Sequence, residues 1–226
     1  MTGSALTLAI DVSISADLLD ALLRELPIAS IRITPQKDRP LTAQDVLPLV
    51  AASQDRDVAV LLTDDAAVAR IVRADGVHLT RCRDPLAVYG EARDILGKRA
   101  IVGAEPDATR HQAMELGEAG ADYIAFAAAS CDRQLDGSHD QRADQGSDWL
   151  QELWLERIAW WTEIFEIPCL ALPIIDSALA HAVFRSGADF AEVPVTAGAS
   201  MQAEVARIKL LHNALSGVVD AAGVPA

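Results

Sequence analysis

Three times this chain closes a helix with small residues and an acid and then enters a short apolar run. The copies are Ala74-Asp75-Gly76-Val77-His78-Leu79, Gly120-Ala121-Asp122-Tyr123-Ile124 and Ser186-Gly187-Ala188-Asp189-Phe190-Ala191. Small residues let the backbone reverse tightly after a helix, and the apolar run that follows suits a strand buried on both faces. Repetition of that hand-over along one chain points to alternating β/α units around a parallel sheet.

Eight such units can be read. The expected strands are Leu6–Ile10, Ala29–Ile33, Val58–Leu62, Gly76–Leu79, Ala100–Val102, Asp122–Ala127, Cys169–Leu172 and Phe190–Val193. Helices follow them, with Ser15, Thr42 and Ser147 as caps, Asp17 in a first turn and Pro85 where a first turn tolerates proline. Pro48 predicts a kink or a restart in the second helix. Residues 128–146, rich in Asp, Gln and Gly, are expected to form a mobile loop, and the tail 217–226 to fray. Eight units in 226 residues predict a single (β/α)8 TIM barrel over residues 1–226 rather than an open doubly wound sheet, because no Gly-rich phosphate fingerprint follows the first strand. A barrel places its site at the C-terminal ends of the strands.

Composition limits what such a site meets. The formal net charge is −14, which disfavours nucleic acid, anionic membrane and, at long range, phosphorylated substrates. The lysines are Lys37, Lys98 and Lys209. Cys82, Cys131 and Cys169 form no CxxC pair and read as free thiols in a reducing cytoplasm. No apolar run is long enough for a membrane span, and no basic stretch precedes an apolar one at the N-terminus, so a cytoplasmic chain is expected. Trp149, Trp154, Trp160 and Trp161 fall on one helix. Leu150, Trp154, Ile158, Trp161 and Phe165 make a stripe suited to covering the barrel. Trp149, Leu153, Trp160 and Ile164 make a second, which reads either as a homodimer contact or as a wide buried face.

With the strand ends aligned, the chain resembles the thiamine phosphate synthase family, which includes a thiazole tautomerase branch. The likeness rests on the ordered set Val58-Ala59-Val60-Leu61-Leu62-Thr63-Asp64-Asp65, Ala74 to Leu79, Ala100-Ile101-Val102-Gly103 and Gly120 to Phe126, and continues through Ile167 to Leu172 and Ser186 to Asp189. The resemblance implies a reaction in which Mg2+ draws pyrophosphate from a pyrimidine methyl pyrophosphate and a thiazole phosphate nitrogen attacks the resulting carbocation. It implies carboxylates for the metal, with Asp64 and Asp84 as candidates, and Thr34, Lys37, Thr63, Arg81, Glu105 and Arg133 as substrate-binding candidates.

Residue by residue, the family pattern departs. Thr34 and Gln36 stand where an arginine and a lysine are expected, and Lys37 is displaced by one, which turns a side chain to the other face of an extended segment. Thr63 replaces an asparagine, and Glu105 replaces a serine. Pro173-Ile174 replaces a glycine pair, removing an amide donor, and Glu192 and Pro194 stand where small residues with free amides are expected. Asp107 occupies the position of the tautomerase histidine, and His111 points away. Asp64 also reads as a helix N-cap accepting from Ala66 or Ala67, His78 as a hydrogen-bonded barrel histidine, and Arg81 and Arg83 as either a phosphate grip or a solvated loop.

The expectation is therefore a divergent barrel of this family without ordinary synthase activity, binding a small molecule at the mouth or a protein partner. Two alternatives stand beside it: an active Mg2+-dependent synthase with a relocated site, and a scaffold without catalysis.

Overall fold

The computed structural model describes residues 3–37, 39–107, 109–128, 148–196 and 198–217, with the backbone alone at Asp148 and Trp149. The expectations placed on the long loop, on Arg133 and on the terminal tail lie outside the described residues, Ala128 and Gly217 at their edges excepted. Strands β1 (Ala5–Asp11), β2 (Ile28–Thr34), β3 (Ala59–Thr63), β4 (Gly76–Leu79), β5 (Ile101–Ala104), β6 (Tyr123–Ala127), β7 (Cys169–Leu172) and β8 (Phe190–Pro194) pair in parallel and close into a barrel in chain order. Helices α1 (Ala16–Glu25), α2 (Ala43–Gln54), α3 (Ala66–Val72), α4 (Pro85–Leu96), α5 (Arg110–Glu118), α6 (Asp148–Ile164), α7 (Ser177–Ser186) and α8 (Met201–Leu215) alternate with them. The (β/α)8 barrel expected from the repeats is the fold.

The recurrent acid has a structural task. Asp75, Asp122 and Asp189 each turn back to the preceding strand and accept an amide at its start: Val60 N at 2.7 Å, Val102 N at 2.7 Å and Cys169 N at 2.9 Å. The lower rim of the barrel is thus closed by carboxylates on otherwise unpaired amides. Asp122 also holds Arg93 at 2.7 Å.

Alternation along the strands makes two layers of packing. Leu6, Leu8, Ile10, Ile31, Ile33, Leu62, Val102 and Ile124 face outward and are buried under the helices. A smaller apolar cluster of Leu61, Tyr123, Ala125, Leu170 and Leu172 fills part of the lumen.

At Pro48 the restart is excluded, and at Asp64 the expected cap is corrected. Helix α2 runs without a restart from Ala43 to Gln54 through Pro48. Pro48 and Gln44, whose carbonyl loses its helical partner at the proline, both lie on the exposed side of the helix. The N-cap of α3 is Asp65, which accepts from Val68 N at 2.8 Å, and not Asp64. Asp64 instead takes a left-handed backbone conformation (φ 55°) and reaches across to β4, accepting from Thr80 N at 2.7 Å and Thr80 Oγ1 at 2.5 Å.

On α6 the first stripe covers the barrel as expected: Trp154, Ile158 and Trp161 are buried. Their indoles also staple the helix, Trp154 Nε1 donating to Phe126 O at 2.8 Å and Trp161 Nε1 to Ile167 O at 2.7 Å. In the second stripe Leu153 and Ile164 are exposed, whereas Trp160 packs edge-on to Trp161 and Phe165 and carries Arg110 over its ring at 4.7 Å.

Candidate ligand site at the barrel mouth

Strand β1 lies between β2 and β8, and its lumen-facing residues are small: Ala9 is level with Arg32 and Thr7 with Glu192. Those two long side chains therefore meet across β1 inside the barrel. Arg32 donates from Nε to Glu192 Oε2 at 2.7 Å and from Nη2 to Glu192 Oε1 at 2.6 Å, a bidentate pair with 11% and 1% side-chain exposure. Its remaining arm reaches Thr63 Oγ1 at 3.3 Å. Burial alone would pull the guanidinium down, but the Glu192 carboxylate outweighs it and holds Arg32 charged.

Opposite this pair a second polar chain crosses the lumen. His78, fully buried on β4, joins Tyr123 Oη to Nδ1 at 2.7 Å and Glu105 Oε1 to Nε2 at 2.9 Å. A carboxylate only accepts, so the proton of this bond sits on Nε2. Burial pushes the Tyr123 hydroxyl up, so it keeps its proton. Burial raises the Glu105 carboxyl too, but the His78 bond, the Arg32 charge and the Arg81 amide together hold it below its ordinary value of 4.5. The sequence reading of His78 as a hydrogen-bonded barrel histidine agrees with this geometry.

A group whose native pKa is depressed stabilises the fold above its ordinary value and loses that contribution as pH falls through the lowered one. Glu105→Gln is therefore expected to cost stability at pH 7 and to converge on the parent protein below pH 4.5, where the parent carboxylate takes up its proton. Urea titrations between pH 3 and 7 check this; a constant difference across that range would refute it.

Above these two chains a cavity of about 370 Å³ opens at the C-terminal mouth, lined by Asp11, Arg32, Thr34, Glu105, Leu172 and Glu192 among others. Thr34 and Glu105, two of the expected binding residues, meet here, and Thr63 lies just below on Arg32. Thr34 Oγ1 donates to Ile10 O at 3.0 Å. Lys37 is exposed on the loop after β2. Arg81 lies 3.5 Å from Asp107, and Arg83 is exposed. Exposed His111 lies 3.4 Å from Glu115 within α5.

The candidate metal ligands are engaged elsewhere: both Asp64 oxygens on Thr80, and Asp84 Oδ1 on Ala87 N at 3.1 Å as the N-cap of α4. Among the described residues no three His, Cys, Asp or Glu side chains gather as a metal cradle. Through their hydrogen bonds Asp64 thus holds the end of β4 and Asp84 the start of α4.

Barrels that bind phosphate use the loops after strands 7 and 8. Here Pro173 has no amide hydrogen, Ile174 N donates to Glu192 O at 2.8 Å, and Val195 N donates to Ala9 O at 2.8 Å. Thr196 N donates at 2.7 Å to Glu204 Oε1. Glu204 belongs to the first turn of α8, is 2% exposed, and pairs with Arg207 at 2.6 Å. Burial raises its carboxyl, but Arg207 and the Thr196 amide win and hold it ionised. The chain thus places its own carboxylate on an amide of the strand-8 loop.

Arg32 and Tyr123 were not singled out as site residues from the sequence. The available signal was alternation: Arg32 shares its strand face with Ser30 and Thr34, and Glu192 shares its face with Phe190 and Pro194. Opposite charges in the middle of short, otherwise buried strands need partners inside the barrel.

Comparison with known proteins agrees with this architecture. The family model described as thiamine monophosphate synthase matches residues 14–194. The thiamine-phosphate synthase of Rhodospirillum centenum is 36% identical over 190 residues, 82% of this chain and 83% of the relative. That of Erythrobacter litoralis is 38% identical over 146 residues, 65% of this chain, and the match spans only 62% of the relative. Thiamine phosphate pyrophosphorylase from Pyrococcus furiosus superposes with a TM-score of 0.68 at 21% identity, covering 96% of this chain and 97% of its own, a likeness of fold. With a family model matched across most of the barrel and a relative above 30% identity over most of the chain, this protein belongs to the thiamine monophosphate synthase family.

Proposed function

We propose that this family member does not join two phosphorylated substrates, and instead binds a neutral or cationic nitrogen heterocycle without a phosphate at the barrel mouth. The observation that carries the reading is Glu204 on the Thr196 amide. A dianionic phosphate there would have to displace a buried, ionised carboxylate or lie against it, and like charges at close range repel. The mouth supports the same reading. Among the described residues that line it, Asp11, Glu105 and Glu192 stand against one cation, Arg32, whose fork is already spent on Glu192. The Glu105 carboxylate, fixed by His78, is placed to accept from an N–H or to face a cationic ring.

The purified chain, given pyrimidine methyl pyrophosphate, thiazole phosphate and Mg2+, is expected to form no thiamine phosphate at high protein concentration. In a thermal-shift comparison, unphosphorylated thiamine is expected to raise the melting temperature more than thiamine phosphate does. The identity to curated synthases favours a second reading, an active enzyme with relocated groups such as Lys37, Arg81 and Arg133. Product formed by the parent chain would establish that reading and refute the first.

A further inference from the structure

The lumen holds a second cavity, of about 280 Å³, at the opposite, N-terminal mouth. It exists because three adjacent lumen positions are small: Thr7 is level with Ser30, and Ser30 with Ala59. A barrel interior is ordinarily filled by layers of large side chains, and here the lowest layer is left short on β1 to β3. The walls are Ala29, Leu61, Ile101, Pro168, Leu170 and Phe190. Ala29 at the rim is exposed, so the cavity opens to solvent.

Its polar groups are already partnered with one another. Thr7 Oγ1 and Ser30 Oγ lie 3.1 Å apart, the Tyr123 hydroxyl is held by His78, and Arg32 is held by Glu192 and Thr63. At the rim, Asp122 is held by Arg93 and the Val102 amide. No uncompensated charge faces the space, so an ion gains no partner by leaving water. The walls reward apolar area, and the rings of Phe190 and Tyr123 favour a flat partner. The volume is about twice that of an apolar cavity that accepts benzene, roughly 150 Å³.

We propose that the N-terminal mouth is a second small-molecule site, separate from the upper mouth, for an uncharged aromatic molecule of one or two rings. The Arg32–Glu192 pair is the partition: it lines both cavities and closes the passage between them.

Indole is a suitable probe with the full chain. Binding is expected to raise the melting temperature by about 4 °C at ten times the dissociation constant. Ala59→Phe, which fills the lower cavity, is expected to abolish the shift, whereas Ala127→Phe, which intrudes on the upper one, is expected to keep it. Crystals of the unaltered chain under xenon pressure are expected to show xenon beside Leu61 and Leu170, which tests the site even where a variant fails to fold. No shift and no xenon in the parent chain would overturn the proposal. So would an indole shift that survives Ala59→Phe or is lost in Ala127→Phe.

Discussion

Glu192→Leu is expected to lower the unfolding free energy by about 3–5 kcal/mol, because it leaves the Arg32 guanidinium buried without its counter-charge. Arg32→Met is expected to cost a similar amount for the mirror reason: the Glu192 carboxylate, 1% exposed, loses both bonds at 2.6–2.7 Å. The informative result is the double variant. With both charges removed, an apolar pair fills the same space, and beyond it only the 3.3 Å bond to Thr63 and the support Arg32 gives Glu105 are lost, so Arg32→Met/Glu192→Leu is expected to be far more stable than the sum of the singles. Denaturant unfolding of the four proteins gives the cycle directly. Additive losses, or single losses below about 1 kcal/mol, would mean that water reaches the pair and screens it as at a surface. The prediction bears on function because the same pair floors the upper cavity: the double variant is expected to retain the fold while the mouth loses the Arg32 cation.

The barrel was legible from the chain because its signals are local and repeated. The hand-overs at Asp75, Asp122 and Asp189 mark strand starts, and Ser15, Thr42 and Pro85 mark helix starts, each through chemistry within a few residues. The site was less legible because its contacts span the barrel. Arg32 and Glu192 are 160 positions apart, and only closure of β1 onto β8 makes them neighbours. Asp64 and Asp65 show the same limit at short range. Either acid could cap α3 on spacing alone, and the left-handed turn at Asp64 decides which one points back at the helix and which crosses to Thr80. The missing amide hydrogen at Pro173 was visible in the sequence, whereas the carboxylate that sits on the neighbouring loop amide comes from Glu204, on the following helix.

Gly103→Ala is expected to be strongly destabilising, because the added methyl enters space that an aromatic ring already fills. A Cβ on Gly103 would lie 1.9 Å from Tyr123 Cζ, with two more ring carbons within 2.4 Å. The aromatic ring cannot bend out of the way as a flexible chain end does. Tyr123 is buried and its hydroxyl is fixed to His78 Nδ1 at 2.7 Å, which is in turn fixed to Glu105 at 2.9 Å. Overpacking alone costs about 1–3 kcal/mol, and a ring pushed off its position leaves the buried imidazole without its Tyr123 partner, which costs a further roughly 1–3 kcal/mol. The loss is expected near the upper end of the overpacking range or beyond it, with a shifted His78 resonance in NMR spectra as the sign that the polar chain has broken. The same substitution is expected to be far milder in a Tyr123→Ala background, where the methyl enters vacated space. If the two changes prove additive, the ring is not what excludes a side chain at Gly103, and the close approach of β5 to β6 must be relieved by the strands themselves.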